Sequence, residues 1–181
     1  MPHSGEFRPP AEPTIGHVDL VALEQSVLPD GGPFPPSYRA FVRTAGWGRL
    51  FGLWLVYPPV RAGYADGWPG RTSRLTERFR AAFADGRAEG FDWMVEPDGD
   101  WPLAERLQVF AWSENGDALL WELGSRDEQG ELVVWESRGL NSLHRLGVGL
   151  NTALAILRER REALAEGRPE LDPLPGVRIA E

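Results

Sequence analysis

Three histidines, His3, His17 and His144, are the only imidazoles in this chain of 181 residues. No motif sets any of them beside a serine and an aspartate in a nucleophile elbow or a triad. Glu96, Asp98 and Asp100 alternate along the chain, so two or three carboxylates could converge on a hard cation and support metal-assisted hydrolysis. The calcium-loop pattern is not completed, because no acidic residue stands at its bidentate position. A solvated acidic turn, or a contact for a basic partner, accounts for the three residues without a metal. Glu114 and Asp117 flank Asn115-Gly116. A glycosidase pair would have to face across a cleft, whereas these two sit side by side at a turn. Asp117 reads as a turn stabiliser, and Glu114 as a contact at the turn's tip. Gly46, Gly48 and Gly52 do not make a phosphate loop, since no lysine follows and the next segment reads as a strand. The expectation is therefore no catalytic residue, no metal and no cofactor.

Composition narrows the classes further. Cysteine is absent, which excludes disulfides, thiolate zinc sites and cysteine nucleophiles. The net charge is -8 and every basic side chain is arginine. Arg158, Arg160 and Arg161 are interleaved with Glu159 and Glu162, so even this run reads as a solvated helix face. An acidic surface disfavours nucleic acid and membrane and speeds association with a basic partner. The first residues lack the basic start and apolar run of a signal peptide. The longest apolar stretch, 50–57, ends at Pro58-Pro59 and is far short of the roughly 18 residues a membrane helix needs. A cytoplasmic protein is expected.

The elements that must position these residues follow from periodicity and punctuation. Residues 1–13 hold four prolines and read as a loose arm. A helix is expected over 17–27, with Val18, Val21, Leu23 and Val27 inward. A second starts near Pro35-Pro36-Ser37, with Tyr38, Phe41 and Val42 on one face, and stops at Gly46-Trp47-Gly48. Residues 51–57 read as one strand covered on both faces. The segment 61–70 is Gly-rich and irregular. Residues 73–85 read as a helix, with Leu75, Phe79, Ala82 and Phe83 inward. Residues 86–103 look like loop. Strands are expected over 107–112, 117–123 and 132–136, with a short edge strand at 143–148. A final helix over 152–165 turns Leu154, Ile156, Leu157 and Leu164 inward, and 167–181 is a loose tail. One domain over 14–166 results. Its successive middle strands favour α+β: a twisted, mainly antiparallel sheet of about four to six strands with helices packed on it.

The hairpin at 107–123 carries the strongest signal. Asn115-Gly116 predicts a two-residue type I′ turn. That turn sets Glu114 opposite Asp117, Trp112 opposite Leu119 and Phe110 opposite Trp121. One face then carries Phe110, Trp112, Leu119 and Trp121; the other carries Val109, Ala111, Ala118 and Leu120. No catalytic side chain lies on either face, which points to a protein that holds or recognises something. Trp68, Trp93 and Trp101 fall in loop-like segments and are the aromatic anchors such a protein would use. Glu96, Asp98, Asp100 and Glu114 are the acidic contacts beside them.

Several of these segments resemble the SMI1/KNR4 family, also called the SUKH superfamily. Phe34-Pro35-Pro36-Ser37-Tyr38-Arg39-Ala40-Phe41-Val42, followed by Gly46-Trp47-Gly48, is similar to the family's opening. Asn115-Gly116-Asp117-Ala118-Leu119-Leu120-Trp121 resembles its hairpin, and Leu132-Val133-Val134-Trp135-Glu136 its next strand. Residues 143–157 resemble the strand-to-helix finish of many members. The likeness runs in order over about 17–166. The region 61–103 does not align, and Ala153-Leu154 stands where relatives tend to carry a phenylalanine. The resemblance implies an α+β fold without known enzymatic activity. It also implies a protein-binding role: an immunity protein that binds and neutralises a cognate toxin, or a scaffold or regulatory module acting as a homodimer. On this reading Pro36, Tyr38, Phe41, Gly46, Trp47, Gly48, Asn115, Gly116, Asp117 and Trp121 are structural. The partner is a protein, such as a basic toxin domain.

Overall fold

The computed structural model describes residues 7–162 and 169–180. Asp19 caps the first helix, α1 (Leu20–Gln25), by accepting the Ala22 N–H at 2.9 Å. This helix is shorter than expected. Leu23 is buried, but Val21 and Val27 are 64% and 67% exposed, so only part of the predicted apolar stripe faces inward. Helix α2 (Pro36–Ala45) begins on proline, where the missing N–H costs nothing, and buries Tyr38, Phe41 and Val42 as its spacing requires. It ends at Gly46, whose φ of +64° and close approach to the Thr14 carbonyl suit only glycine.

Of the expected strand over 51–57 only β2 (Trp54–Val56) is strand; residues 51–53 form a turn, and a further short strand, β1 (Gly48–Leu50), precedes it. The chain reverses between them, with Phe51 and Gly52 both at positive φ and the Leu53 N–H on the Leu50 carbonyl. Helix α3 (Gly70–Ala88) exceeds its expected span at both ends. The expected loop 86–103 contains a 3₁₀ turn (Asp92–Met94) and the short helix α4 (Trp101–Ala104). Strands β3 (Leu107–Ser113), β4 (Ala118–Glu122), β5 (Val133–Ser137) and β6 (His144–Val148) follow. Helix α5 (Leu150–Glu162) turns Ala153, Leu154 and Leu157 inward; Leu164 lies outside the described residues. Strand β7 (Leu171–Pro173) is last.

These strands form one antiparallel sheet in the order β6-β5-β4-β3-β2-β1-β7, and the fold is α+β. The sheet has seven strands, one more than the upper expectation. The additional edge comes from the segment expected to be a loose tail. There Leu171 pairs with Leu50, Pro173 with Gly48, and Leu171 is buried. Part of the expected N-terminal arm is also docked. The Phe7 ring lies 5.1 Å from that of Phe41, and the Arg8 N–H donates to the Glu170 carboxylate. Residues 1–6, including His3, lie outside the described residues.

The hairpin corrects the predicted register. Gly116 alone in the turn takes positive φ, and its N–H bonds the Ser113 carbonyl. This is a three-residue loop of the type I plus bulge kind, not a type I′ turn. Asp117 therefore faces Ser113, with Ser113 N–H on the Asp117 carbonyl at 2.8 Å, and Glu114 is displaced into the loop. The register moves by one, giving Trp112 opposite Ala118 and Ala111 opposite Leu119. A bulge between Val109 and Ala111 then sets Val109 opposite Leu120 and Gln108 opposite Trp121. Trp112 consequently leaves the Phe110 face and Ala111 joins it.

Both sheet faces are covered. On one, Phe34, Tyr38, Phe41, Leu154 and Leu157 pack on Phe110, Leu119 and Trp121. The rings of Phe110 and Trp121 stack at 4.3 Å, with Tyr38 edge-on to Trp121 at 5.0 Å. On the other, Leu75, Phe79, Phe83 and Met94 pack on Trp47, Tyr57, Val109 and Leu120. The region 61–103 thus supplies the second layer. Among the described residues no helix is long and apolar enough to cross a membrane.

Candidate functional site

Helix α3 is anchored by Leu75, Phe79 and Phe83, which are buried against the sheet. Its buried Gly86 leaves room for the Met94 sulfur. The chain leaves the helix through Gly90, and the Phe91 N–H returns to the Gly86 carbonyl. Met94 and Val95 then point inward. This clamps the 3₁₀ turn from below and forces Phe91 and Trp93 outward, where they are 42% and 50% exposed. Their rings stack at 5.4 Å with an interplanar angle of 26°.

The turn is also clamped from the side. Asp92 accepts the Trp101 indole N–H at 2.9 Å, and Trp101 lies edge-on to buried Phe83 at 6.2 Å. Asp100 caps α4 by accepting the Leu103 N–H at 2.8 Å. Asp98 accepts the Arg145 N–H at 2.9 Å, while the Leu143 N–H bonds the Glu96 carbonyl. The 96–98 segment thus covers the start of edge strand β6. From 89 to 105 the chain carries Glu89, Asp92, Glu96, Asp98, Asp100 and Glu105 and no basic residue. Beside the aromatic pair a cleft of about 500 Å³ opens between α3 and α4, walled by Phe83, Ala84, Trp101 and Ala104. The Arg87–Glu105 ion pair, at 3.0 Å, lies at this cleft.

Trp93, Glu96, Asp98, Asp100 and Trp101 all fall in the segment that joins α3 to β3, and the two other expected residues lie elsewhere. Trp68 is a half-buried filler in the other layer, 5.2 Å from Phe34 and 6.0 Å from Trp121. Glu114 pairs with Arg49 at 2.7 Å beside the hairpin. Asp117 does more than stabilise its own turn, since its carboxylate accepts the Gly139 N–H at 2.8 Å and joins two loops. Phe91, Glu89 and Asp92 were missed by sequence reasoning. The available signal was the alternation Phe91, Trp93 within an unbroken acidic run.

The acidic trio does not converge. Asp98 and Asp100 serve N–H groups of different segments, and among the described residues no three His, Asp or Glu side chains gather as they would around an ion. His17 is buried beside Tyr64 at 5.4 Å, and burial lowers its pKa. His144 lies 3.0 Å from the Ser142 hydroxyl, a contact not anticipated. Burial, and then the neighbouring Arg138, lowers its pKa. Ser142 Oγ also accepts the Arg138 N–H, which makes the pair a lock on the turn before β6.

No protein-family model matches this chain, and no curated protein and no solved structure matches it either.

Proposed function

We propose that this chain is a non-enzymatic protein-binding domain of the SMI1/KNR4 type, acting in the cytoplasm as an immunity protein. It binds a basic toxin domain through the surface built on α3, the 3₁₀ turn and α4. One observation carries the reading: a stacked, half-exposed Phe91–Trp93 pair is held rigidly from two sides within an acidic run. Preorganised aromatic anchors lose little side-chain entropy on docking. The surrounding carboxylates raise the encounter rate with a cationic partner. The motifs around Tyr38, Gly46, Asn115 and Trp121 support the family likeness.

The test mixes the purified protein with the product of the adjacent gene and expresses the two together in cells. A complex in gel filtration, and growth restored in a strain carrying the toxic partner, are expected. Failure of both removes the immunity reading. Trp93→Ala should weaken the complex by a factor of about thirty, the cost of removing an interface hot spot.

A second reading, a scaffold acting as a homodimer, is favoured by a separate feature. Leu20 and Val21 on α1 and Val27 just beyond it are large and exposed. Light scattering over a concentration series, with Val21→Asp as the comparison, distinguishes a dimer from a monomer.

A further inference from the structure

Among the described residues, three arginines without a carboxylate partner lie together in this acidic chain. Most of its other guanidinium groups have carboxylate partners: Arg49 with Glu114, Arg87 with Glu105, Arg126 with Asp30, and Arg160 with Glu136. Among the described residues no carboxylate lies within ion-pair distance of Arg61, Arg71 or Arg74. All three line a single cleft of about 490 Å³ where the 61–69 segment meets the start of α3. We propose that this cleft binds a phosphate group, as the free ion or as a monoester.

The charge count favours a dianion. Three arginines stand against Asp66, the one acid lining the cleft, and leave two positive charges in excess. A phosphate monoester carries close to two negative charges at neutral pH. Guanidinium forks match its oxygens in paired, charge-assisted hydrogen bonds. The walls are preformed. Gly67 is buried against Val60, and Trp68 packs its indole on Phe34 and Trp121. Arg71 sits beside the buried Tyr57 phenol. Tyr64 is held between the His17 ring and the Arg178 guanidinium, which lies 5.5 Å above its ring. Gly70 is exposed with no side chain over its Cα, so the backbone beside Arg71 is open to the cleft. The cleft lies at the opposite end of α3 from the aromatic surface, about 27 Å of helix away, and its role is independent of the docking reading.

The test is a ¹⁵N-resolved titration of the whole protein with inorganic phosphate, a nucleoside monophosphate and a phosphoserine peptide, each against sodium chloride of equal ionic strength. Saturable shifts at Gly67, Gly70 and Arg71 are expected with at least one ligand. The tightest of the three identifies whether the ion, a nucleotide or a modified protein is the source. Arg61→Gln with Arg74→Gln removes exposed side chains only, so the spectrum elsewhere should stay native while affinity falls about tenfold or more. No saturable shift with any ligand, or shifts that persist unchanged in the double variant, would overturn the proposal.

Discussion

The indole N–H of Trp101 donates to the Asp92 carboxylate across 2.9 Å, and that bond fixes the exposed turn to α4. Two tryptophans that read alike in sequence thereby divide their roles. Trp101 holds the turn, and Trp93 is held out by it. Asp92→Ala should leave the protein folded with a stability loss of about 1 kcal/mol, the net worth of such a bond. The Trp101 indole proton resonance should move to the position of a solvent-exposed indole. An unmoved resonance would mean that the bond does not form in solution.

Trp93 and Trp121 should give opposite readouts. Trp93 is half exposed, whereas Trp121 is buried against Phe34, Tyr38 and Phe110. Trp121→Ala should cost about 3–5 kcal/mol in a denaturant melt. Trp93→Ala should shift the same melt by about 0.5 kcal/mol or less, as surface substitutions do. Equal losses would place Trp93 in the core and remove it as an anchor.

Stability should fall on mild acidification because of His17. Burial holds its pKa below the ordinary value of 6.5, so the unfolded chain takes up a proton that the native state refuses. Above pH 6.5 the contribution is whole. It is lost as pH drops from there towards the depressed value, and then levels off. His144 is lowered in the same direction and adds to the slope. Denaturant melts between about pH 7.5 and 5 should show the decline, and His17→Phe should flatten it in part. An identical slope in the variant would remove His17 from the account.

The C-terminal strand should matter to global stability. Leu171 is 2% exposed and belongs to the same core as Leu50 and Leu157. Leu171→Ala should cost about 2–4 kcal/mol, measured by thermal or chemical unfolding. A truly loose tail would show no change.

The helices and most of the sheet were legible where the pattern is long or the punctuation strong. The 3.6-residue spacing of Leu75, Phe79 and Phe83 and the proline start before Tyr38 both led to the observed elements. Strand β7 was not legible. Three residues with one apolar side chain carry no period, and their strand character comes from pairing with β1. The turn at 51–53, inside the expected strand, was hidden for a related reason. An apolar run reads as continuous even where Phe51 and Gly52 reverse the chain.

By itself, the order of residues determined that this is an α+β domain with aromatic strands and an acidic surface, since periodicity and charge are local properties. It also placed a turn at Gly116, because only glycine takes that conformation without strain. Tertiary structure decided which side each aromatic faces. One residue of loop and one bulge send Trp112 to the opposite layer from Phe110, a choice set by pairing across strands. It also decided which tryptophan is exposed, because the burial of Met94 and Val95 in the second layer, set by packing against α3 and the sheet, turns Trp93 out to solvent.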